Sequence, residues 1–320
     1  MFRKILDQHN VTTTAALAIF WKDVAKSKAN WGQLCVQQGG REKDLFKDEY
    51  MSLFVDDAVT AEGQIKLNEK MWLPLATRTR FFRRTISYFV KAENHVKQVI
   101  LLGGGLDTLS VRKVKYTRDH DVKFFEVDQA ELLLAKAELY KTHKMDKNAE
   151  YIGIDYVKND LIRYFREYNV EPDLPTLILW EGNTFYLEKV DALRILKEVT
   201  EYFKHLVLTF DYMHASMQQK TQELDSAARE QSLTQTLSQF KANRSPFKTF
   251  FEPDEIIECC QQLGLKIVAH KSAADLAKEY DVDREPYYTA YPYSMLTCCS
   301  PTLEPSPQKD VYDAHRYVKF

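Results

Sequence analysis

Apolar and polar positions alternate in blocks along the middle of the chain, and these blocks predict strands separated by helices. Five short apolar runs are bounded by polar residues or glycine, which is typical of buried strands. They cover residues 99–102, 123–128, 151–155, 176–181 and 206–211. The stretch between the last two places apolar residues at helical spacing over 191–203. Strands that are apolar throughout and alternate with amphipathic helices predict a mostly parallel sheet covered on both faces.

The pattern changes on either side of this alternating region. Two further apolar runs, at 265–270 and 291–299, predict closing strands, the last of them antiparallel, in a Rossmann-like α/β sheet of seven strands. The polar, helix-forming residues before them predict a lid over a ligand site. We therefore expect one domain over 1–320: a helical cap at 1–95, a ligand-binding core at 96–212, a lid insertion at 213–250, a closing helix and strands at 251–300, and an extended tail at 301–320.

Composition narrows the classes of partner. The 320 residues carry a formal net charge of −2, which argues against nucleic acid or an anionic membrane as the main partner. Two adjacent pairs, Cys259–Cys260 and Cys298–Cys299, lack the spacing of a disulfide framework or a zinc site, and they indicate reduced thiols. The apolar run 15–21 is too short to span a bilayer. We expect an intracellular, cytoplasmic protein without a bound metal.

The candidate ligand site lies where the predicted strands end. In doubly wound sheets, ligands bind at the carboxyl ends of the strands. Three glycines, at 103–105, follow the first strand, while Asp128, Asp155 and Glu181 end the next three. Thr108 stands where a dinucleotide fingerprint needs its third glycine. A site for a pyrophosphate is therefore incomplete, whereas a cofactor without phosphates needs no such glycine.

The strand-end acids match the groups of S-adenosylmethionine. A carboxylate at Asp128 can accept hydrogen bonds from both ribose hydroxyls. Asp155 can meet the adenine amine and Glu181 the methionyl ammonium, whereas the phosphates of a dinucleotide would gain nothing from this negative charge. Arg78, on a helix before the first strand, offers a bidentate fork for the methionyl carboxylate.

Five motifs in register carry a resemblance to a known family. The chain resembles the leucine carboxyl methyltransferases, which include eukaryotic phosphatase methyltransferases and bacterial polyketide-type O-methyltransferases. The resemblance covers about residues 12–212 and rests on TRTRFF (77–82), LGGGLDT (102–108), FFEVDQ (124–129), GIDY (153–156) and WEGNTFYL (180–187). Two positions depart from the family pattern: Gly104, where alanine is expected, and Leu109, where bacterial members often carry arginine.

The resemblance implies a class I methyltransferase that uses S-adenosyl-L-methionine. It places Tyr186, the candidate catalytic residue, near the transferable methyl group. By this resemblance, Arg78 would hold the methionyl carboxylate of the cofactor, Gly103 and Gly105 would line its methionine moiety, and Glu181 would face the ammonium region. Asp128 would bind the ribose hydroxyls, and Asp155 with Tyr156 would bind the adenine.

The methyl acceptor is less determined. A carboxylate, with a pKa of about 4, is ionised at neutral pH and needs no base, whereas a phenol, with a pKa of about 10, benefits from one. No motif contains a pair of histidines, which favours the carboxylate of a small metabolite; His205 or His214 beside the methyl would favour a phenol. The alternative acceptors are a phenol or hydroxyl group and a protein C-terminal carboxylate. Two alternative functions also stay open: a non-catalytic protein that binds the cofactor, and an NAD(P)-dependent oxidoreductase.

Overall fold

The computed structural model describes residues 50–54, 69–91, 96–217, 247–280 and 293–305. Its centre is one seven-stranded sheet with the strand order β3-β2-β1-β4-β5-β7-β6. The strands are β1 (Gln98–Leu102), β2 (Lys123–Asp128), β3 (Glu150–Gly153), β4 (Thr176–Trp180), β5 (Leu206–Met213), β6 (Lys266–Ser272) and β7 (Tyr293–Cys299).

The pairing of the strands confirms the predicted fold class. Strands β1 to β5 pair in parallel, and β7 is antiparallel to both β5 and β6. Every residue of β1, β4, β5 and β7 is buried. This burial explains why β1 and β4 are apolar for most of their length without alternation, since both faces of the parallel part of the sheet lie under other elements.

Helices cover both faces of the sheet. On one face, α1 (Glu69–Lys91) contributes Phe82, Ile86 and Phe89 to the core. On the other, α6 (Lys189–Tyr202) buries the apolar stripe that its spacing predicts. Within the described residues, the other helices are α2 (Leu109–Arg112), α3 (Val114–His120), α4 (Ala130–Thr142), α5 (Leu161–Glu167), α7 (Pro253–Gln262) and α8 (Ala273–Glu279). No helix in these described ranges combines the length and apolar character needed to cross a bilayer.

Several predicted boundaries differ from the structure. Strand β3 ends at Gly153, because the next residues form a turn in which the Asp155 carboxylate accepts the N–H groups of Val157 and Lys158. Strand β5 continues to Met213, which pairs with Tyr293. The interval before β7, expected to lack a helix of the usual length, holds the short helix α8.

Parts of the predicted segments lie outside the described residues. Residues 218–246, most of the expected lid at 213–250, lie outside the described residues. Of the expected cap at 1–95, the structure describes 50–54 and 69–91, both with helical segments. Residues 301–303 of the expected extended tail form a 3₁₀ turn. The four described cysteines are not in disulfide bonds.

Candidate cofactor site

The glycine turn that follows β1 forms the centre of the carboxyl edge of the sheet. Gly103 and Gly105 both have positive φ, +66° and +52°, a conformation that L side chains rarely adopt. A Cβ on Gly103 would lie 2.5 Å from Cγ of Asn183, whereas a Cβ on Gly105 would meet no atom within 4 Å. The turn is therefore packed against the β4 loop on one side and faces open space on the other.

Asp128, at the end of β2, lies beside that open space. Its Oδ2 accepts the N–H of Gly105 at 2.8 Å, and its Oδ1 accepts the N–H of Gln129 at 2.7 Å. Burial raises the pKa of the Asp128 carboxyl, against the opposing effect of these two N–H donors. An ionised carboxylate has about four acceptor sites, so it can also accept from the hydroxyls of a ligand.

Arg78, on α1, reaches the carboxyl ends of β4 and β5 and pairs with two acids. Its Nε lies 3.1 Å from Oε1 of Glu181, and its Nη1 lies 2.9 Å from Oδ2 of Asp211. Oδ1 of Asp211 also accepts the N–H of Gly182 at 2.6 Å. Burial alone would lower the pKa of Arg78, but the charges of Asp211 and Glu181 outweigh it and raise that pKa. A guanidinium has five N–H donors, and these two ion pairs leave others for a ligand carboxylate.

Asn183 joins the loops that follow β1 and β4. Its Nδ2 donates to the carbonyl of Gly103 at 2.7 Å and to that of Glu181 at 2.9 Å. The same side chain occupies the space that a Cβ on Gly103 would need. One amide group thus sets the distance between the glycine turn and the acid that follows β4.

Asp155 and Tyr156 lie beyond Asp128, after β3. Besides its two backbone donors, the Asp155 carboxylate pairs with Nζ of Lys158 at 2.8 Å. Desolvation of Asp155 is outweighed by these partners, which lower its pKa. The hydroxyl of the buried Tyr156 accepts Nε1–H of Trp180 at 3.4 Å. Burial and the nearby charge of Asp128 raise the pKa of Tyr156, so its phenol remains neutral.

Tyrosines and phenylalanines form one wall near Arg78. The ring of Tyr186 lies 4.7 Å from that of Phe185 and 5.7 Å from that of Phe247, between ring centroids. Tyr293, the first residue of β7, is buried near Arg78 and Asp211. Burial raises the pKa of both tyrosines well above the usual value. Neither phenol is ionised at neutral pH, so Tyr186 can donate a hydrogen bond but cannot serve as a general base.

Neither histidine considered as a base lies with these groups. His205 precedes β5 at the amino end of the sheet, where its carbonyl accepts the N–H of Thr176 and its Nδ1 lies 2.9 Å from Oγ1 of Thr302. His214 follows β5, and its Nε2 lies 2.7 Å from Oγ of Ser294 while its ring packs on Tyr212. Tyr212 faces the side of the sheet opposite to α1 and Arg78.

The structure brings the predicted site residues to one edge of the sheet in two groups. The group at the ends of β4 and β5 consists of Arg78, Glu181 and Tyr186. The group at the ends of β2 and β3 consists of Asp128, Asp155 and Tyr156. Between the two groups lies the turn with Gly103 and Gly105. Sequence reasoning missed Asp211, Asn183 and Tyr293. Asp211 could have been found, since it ends the fifth predicted strand as the other acids end theirs. Asn183 lies in the quoted WEGNTFYL motif but has no signal of its own.

The chemistry of these groups fits S-adenosyl-L-methionine. That cofactor carries two positive centres, a sulfonium and an ammonium, against one carboxylate. Apart from pairs that balance each other, Asp107 with Arg112 and Glu126 with Lys136, the described side chains of this edge place four carboxylates against two cations: Asp128, Asp155, Glu181 and Asp211 against Arg78 and Lys158. The open space over Gly105 borders Asp128, where a ribose could lie. An excess of negative charge favours this cationic cofactor and disfavours a dinucleotide.

Fold and site together define a class. The class I methyltransferase fold has five parallel strands and a final strand inserted antiparallel beside β5, as seen here. The acid-lined site lies at the carboxyl ends of these strands, where this class binds its cofactor. The leucine carboxyl methyltransferase family model matches residues 31–200, and the chain belongs to this family. The family predicted from the five motifs is thereby confirmed.

Individual relatives are more distant. A protein of Parafrankia sp. (strain EAN1pec), provisionally named an S-adenosyl-L-methionine-dependent methyltransferase, is 31% identical over 135 residues, 42% of each chain. The S-adenosyl-L-methionine-dependent methyltransferase dpfgK of Gibberella zeae is 23% identical over 130 residues, 41% of this chain and 42% of the relative. The matches thus span about two fifths of these curated relatives.

A solved structure supports the fold. A DUF574 family protein from Streptomyces avermitilis MA-4680 superposes with a TM-score of 0.57 at 14% identity, over 85% of this chain and 95% of that one. At this identity the similarity shows the fold alone.

Proposed function

We propose that this protein is an S-adenosyl-L-methionine-dependent O-methyltransferase that forms a methyl ester on a carboxylate of a small metabolite. Family membership and the negative charge of the site support the cofactor and the reaction class. The choice of a carboxylate acceptor rests on one observation: among the described residues near Arg78, the carboxylates of Glu181 and Asp211 are ion-paired with Arg78, and neither His205 nor His214 lies there.

In this proposal the cofactor is held by the residues already described. Arg78 would meet the methionyl carboxylate, Glu181 and Asp211 would face the ammonium, and Asp128 would accept the ribose hydroxyls. Asp155 and Tyr156 would lie at the adenine. When bound, the cofactor would supply an activated methyl group, and its transfer to an acceptor oxygen would break the carbon–sulfur bond and leave that bond's electron pair on sulfur. The protein contributes orientation and exclusion of water.

The acceptor must then be a nucleophile without help from a base. Glu181 and Asp211 are engaged with Arg78, and the phenols of Tyr186 and Tyr293 stay protonated. A carboxylate is ionised at neutral pH, whereas only about one phenol in a thousand is. A carboxylate acceptor therefore fits these side chains, with Tyr186 as a hydrogen-bond donor that orients it. The WEGNTFYL segment resembles bacterial members of the family, which supports a small metabolite over a protein C-terminus.

The test compares acids and phenols of matched shape as acceptors. Release of S-adenosylhomocysteine is measured with each acceptor between pH 6 and 9. We expect turnover with carboxylic acids at a rate that does not change with pH, since the nucleophile is ionised throughout this range. Turnover confined to phenols, rising about tenfold per pH unit, would replace the carboxylate with the phenol alternative. Turnover confined to a peptide C-terminus would reject the small metabolite.

A further inference from the structure

A buried ion pair lies beneath the glycine turn. Nζ of Lys136, on α4, lies 2.6 Å from Oε2 of Glu126, in the middle of β2, and both side chains are fully buried. Oγ of Ser110 donates to the other oxygen of Glu126 at 2.5 Å. Lysine and glutamate are rarely buried in this way, and a buried pair adds little to stability compared with apolar residues of the same volume. Stability alone therefore does not explain its presence.

The Lys136 ammonium also binds the backbone of the glycine turn. It donates to the carbonyl of Gly105 at 3.3 Å and to the carbonyl of Asp107. From the other side, the Asp128 carboxylate accepts the N–H of Gly105. The backbone of Gly105 is thus held at its carbonyl by a cation and at its N–H by the acid proposed to bind the ribose.

Glu126 sets the direction of this ammonium. An ammonium has three donors, and here they are shared between one carboxylate and two carbonyls. Neutral side chains of similar size would fill the same space without charge-assisted hydrogen bonds, which are roughly twice as strong as neutral ones. The turn would then keep its packing and lose its fixed orientation.

We propose that Lys136 and Glu126 are positioning residues that hold the Gly103–Gly105 turn in the conformation that binds the cofactor. The side chain of Lys136 is fully buried, whereas the space at the Cβ position of Gly105 is open, so Lys136 acts through the Gly105 backbone and does not contact the ligand. The part of this inference that concerns binding rests on the proposed function.

The decisive variant is the double substitution Glu126→Gln/Lys136→Met. Lys136→Met alone would leave a buried carboxylate unpaired and could prevent folding. The double variant leaves no unpaired charge, so we expect it to fold, with a urea unfolding midpoint lowered only by the loss of the Lys136 donor to the carbonyls of Gly105 and Asp107. The matched control is Lys197→Met/Glu201→Gln, the same chemical change in an exposed ion pair on α6, toward the amino end of the sheet.

The first readout is hydrogen exchange of the free protein, followed by mass spectrometry of a peptide covering 103–108. We expect exchange about tenfold faster in the double variant, because the turn has lost charge-assisted bonds while the global fold remains. The control should exchange as the wild type does. Unchanged exchange in the double variant, or faster exchange spread over the whole sheet, would refute a positioning role.

The second readout is calorimetric titration with S-adenosylhomocysteine. We expect the dissociation constant to rise about tenfold in the double variant and not in the control. In turnover, KM for the cofactor should rise while kcat at saturation is retained. Equal affinity of the wild type and the double variant would overturn the inference and leave the proposed function standing. If the wild type does not bind S-adenosylhomocysteine, the proposed function itself is overturned. The hydrogen-exchange result would still test whether Lys136 and Glu126 hold the glycine turn.

Discussion

Two glycines of the turn have the same backbone conformation and different surroundings, which makes them a matched pair for mutation. Gly103 and Gly105 have φ values of +66° and +52°. A methyl group on Gly103 would lie 2.5 Å from Asn183, and one on Gly105 would enter open space. Gly103→Ala and Gly105→Ala therefore share a backbone cost and differ in one steric contact.

The magnitudes follow from that difference. A left-handed conformation costs an alanine roughly 1–2 kcal/mol, and Gly105→Ala should lose about this much stability. Gly103→Ala should lose a further roughly 1–3 kcal/mol for overpacking against Asn183, and about 1 kcal/mol more where the hydrogen bond from Asn183 to the Gly103 carbonyl breaks. The effect on cofactor binding should rank the other way, because the open face of Gly105 is where we place the ligand.

The assay is urea unfolding of both variants and the wild type, followed by titration of each folded protein with S-adenosylhomocysteine. We expect Gly103→Ala to be the less stable variant. We expect Gly105→Ala to lose more affinity for S-adenosylhomocysteine than Gly103→Ala does, although it loses less stability. Equal unfolding free energies would refute the close approach of Asn183, and full affinity in Gly105→Ala would refute a ligand over that residue.

Three further predictions concern the charged groups. Arg78→Met should cost about 3–5 kcal/mol of stability in urea unfolding, because it leaves the fully buried Asp211 without its cation. Adding Asp211→Asn should restore most of the lost stability, and a double variant as unstable as Arg78→Met would contradict the ion pair between Arg78 and Asp211. Burial raises the pKa of Asp128, so S-adenosylhomocysteine affinity should fall as the pH drops through that raised value and protonates the acceptor; in calorimetry, Asp128→Asn should bind weakly at every pH. His214→Asn should leave turnover as independent of pH as in the wild type, since His214 lies on the other face of the sheet; a pH-dependent rate in the wild type that this substitution abolishes would identify His214 as a base.

The fold could be predicted largely because the sheet is buried on both faces. A strand covered on both sides must be apolar along its length, so β1, β2 and β4 are visible in the sequence without knowledge of their partners. The ends of strands depend on contacts that the local sequence does not show. Strand β5 extends to Met213 because β7 pairs with it there.

The candidate site was predictable where its residues follow strand ends. Asp128 and Glu181 are placed at the edge by the topology alone. Asp155 follows the same rule, yet its carboxylate is also used to cap a local turn. Its role at the adenine therefore stays a prediction.

Residues that act across long sequence distances could not be predicted. Lys136 lies on α4, where a lysine is expected to face solvent, and it is buried because Glu126 and the glycine turn, from other parts of the chain, contact it. Asn183 contacts Gly103 across 80 residues. Such contacts depend on how the strands are ordered in the sheet, which local patterns do not encode.

The most direct test of a cofactor site at this edge is calorimetric titration of the wild type and Asp128→Ala with S-adenosylhomocysteine, with NADH as the competing ligand. We predict that the wild type binds S-adenosylhomocysteine with a dissociation constant on the order of micromolar, that Asp128→Ala loses this binding, and that neither binds NADH. Binding of NADH by the wild type, without binding of S-adenosylhomocysteine, would contradict the proposed cofactor and leave only the fold.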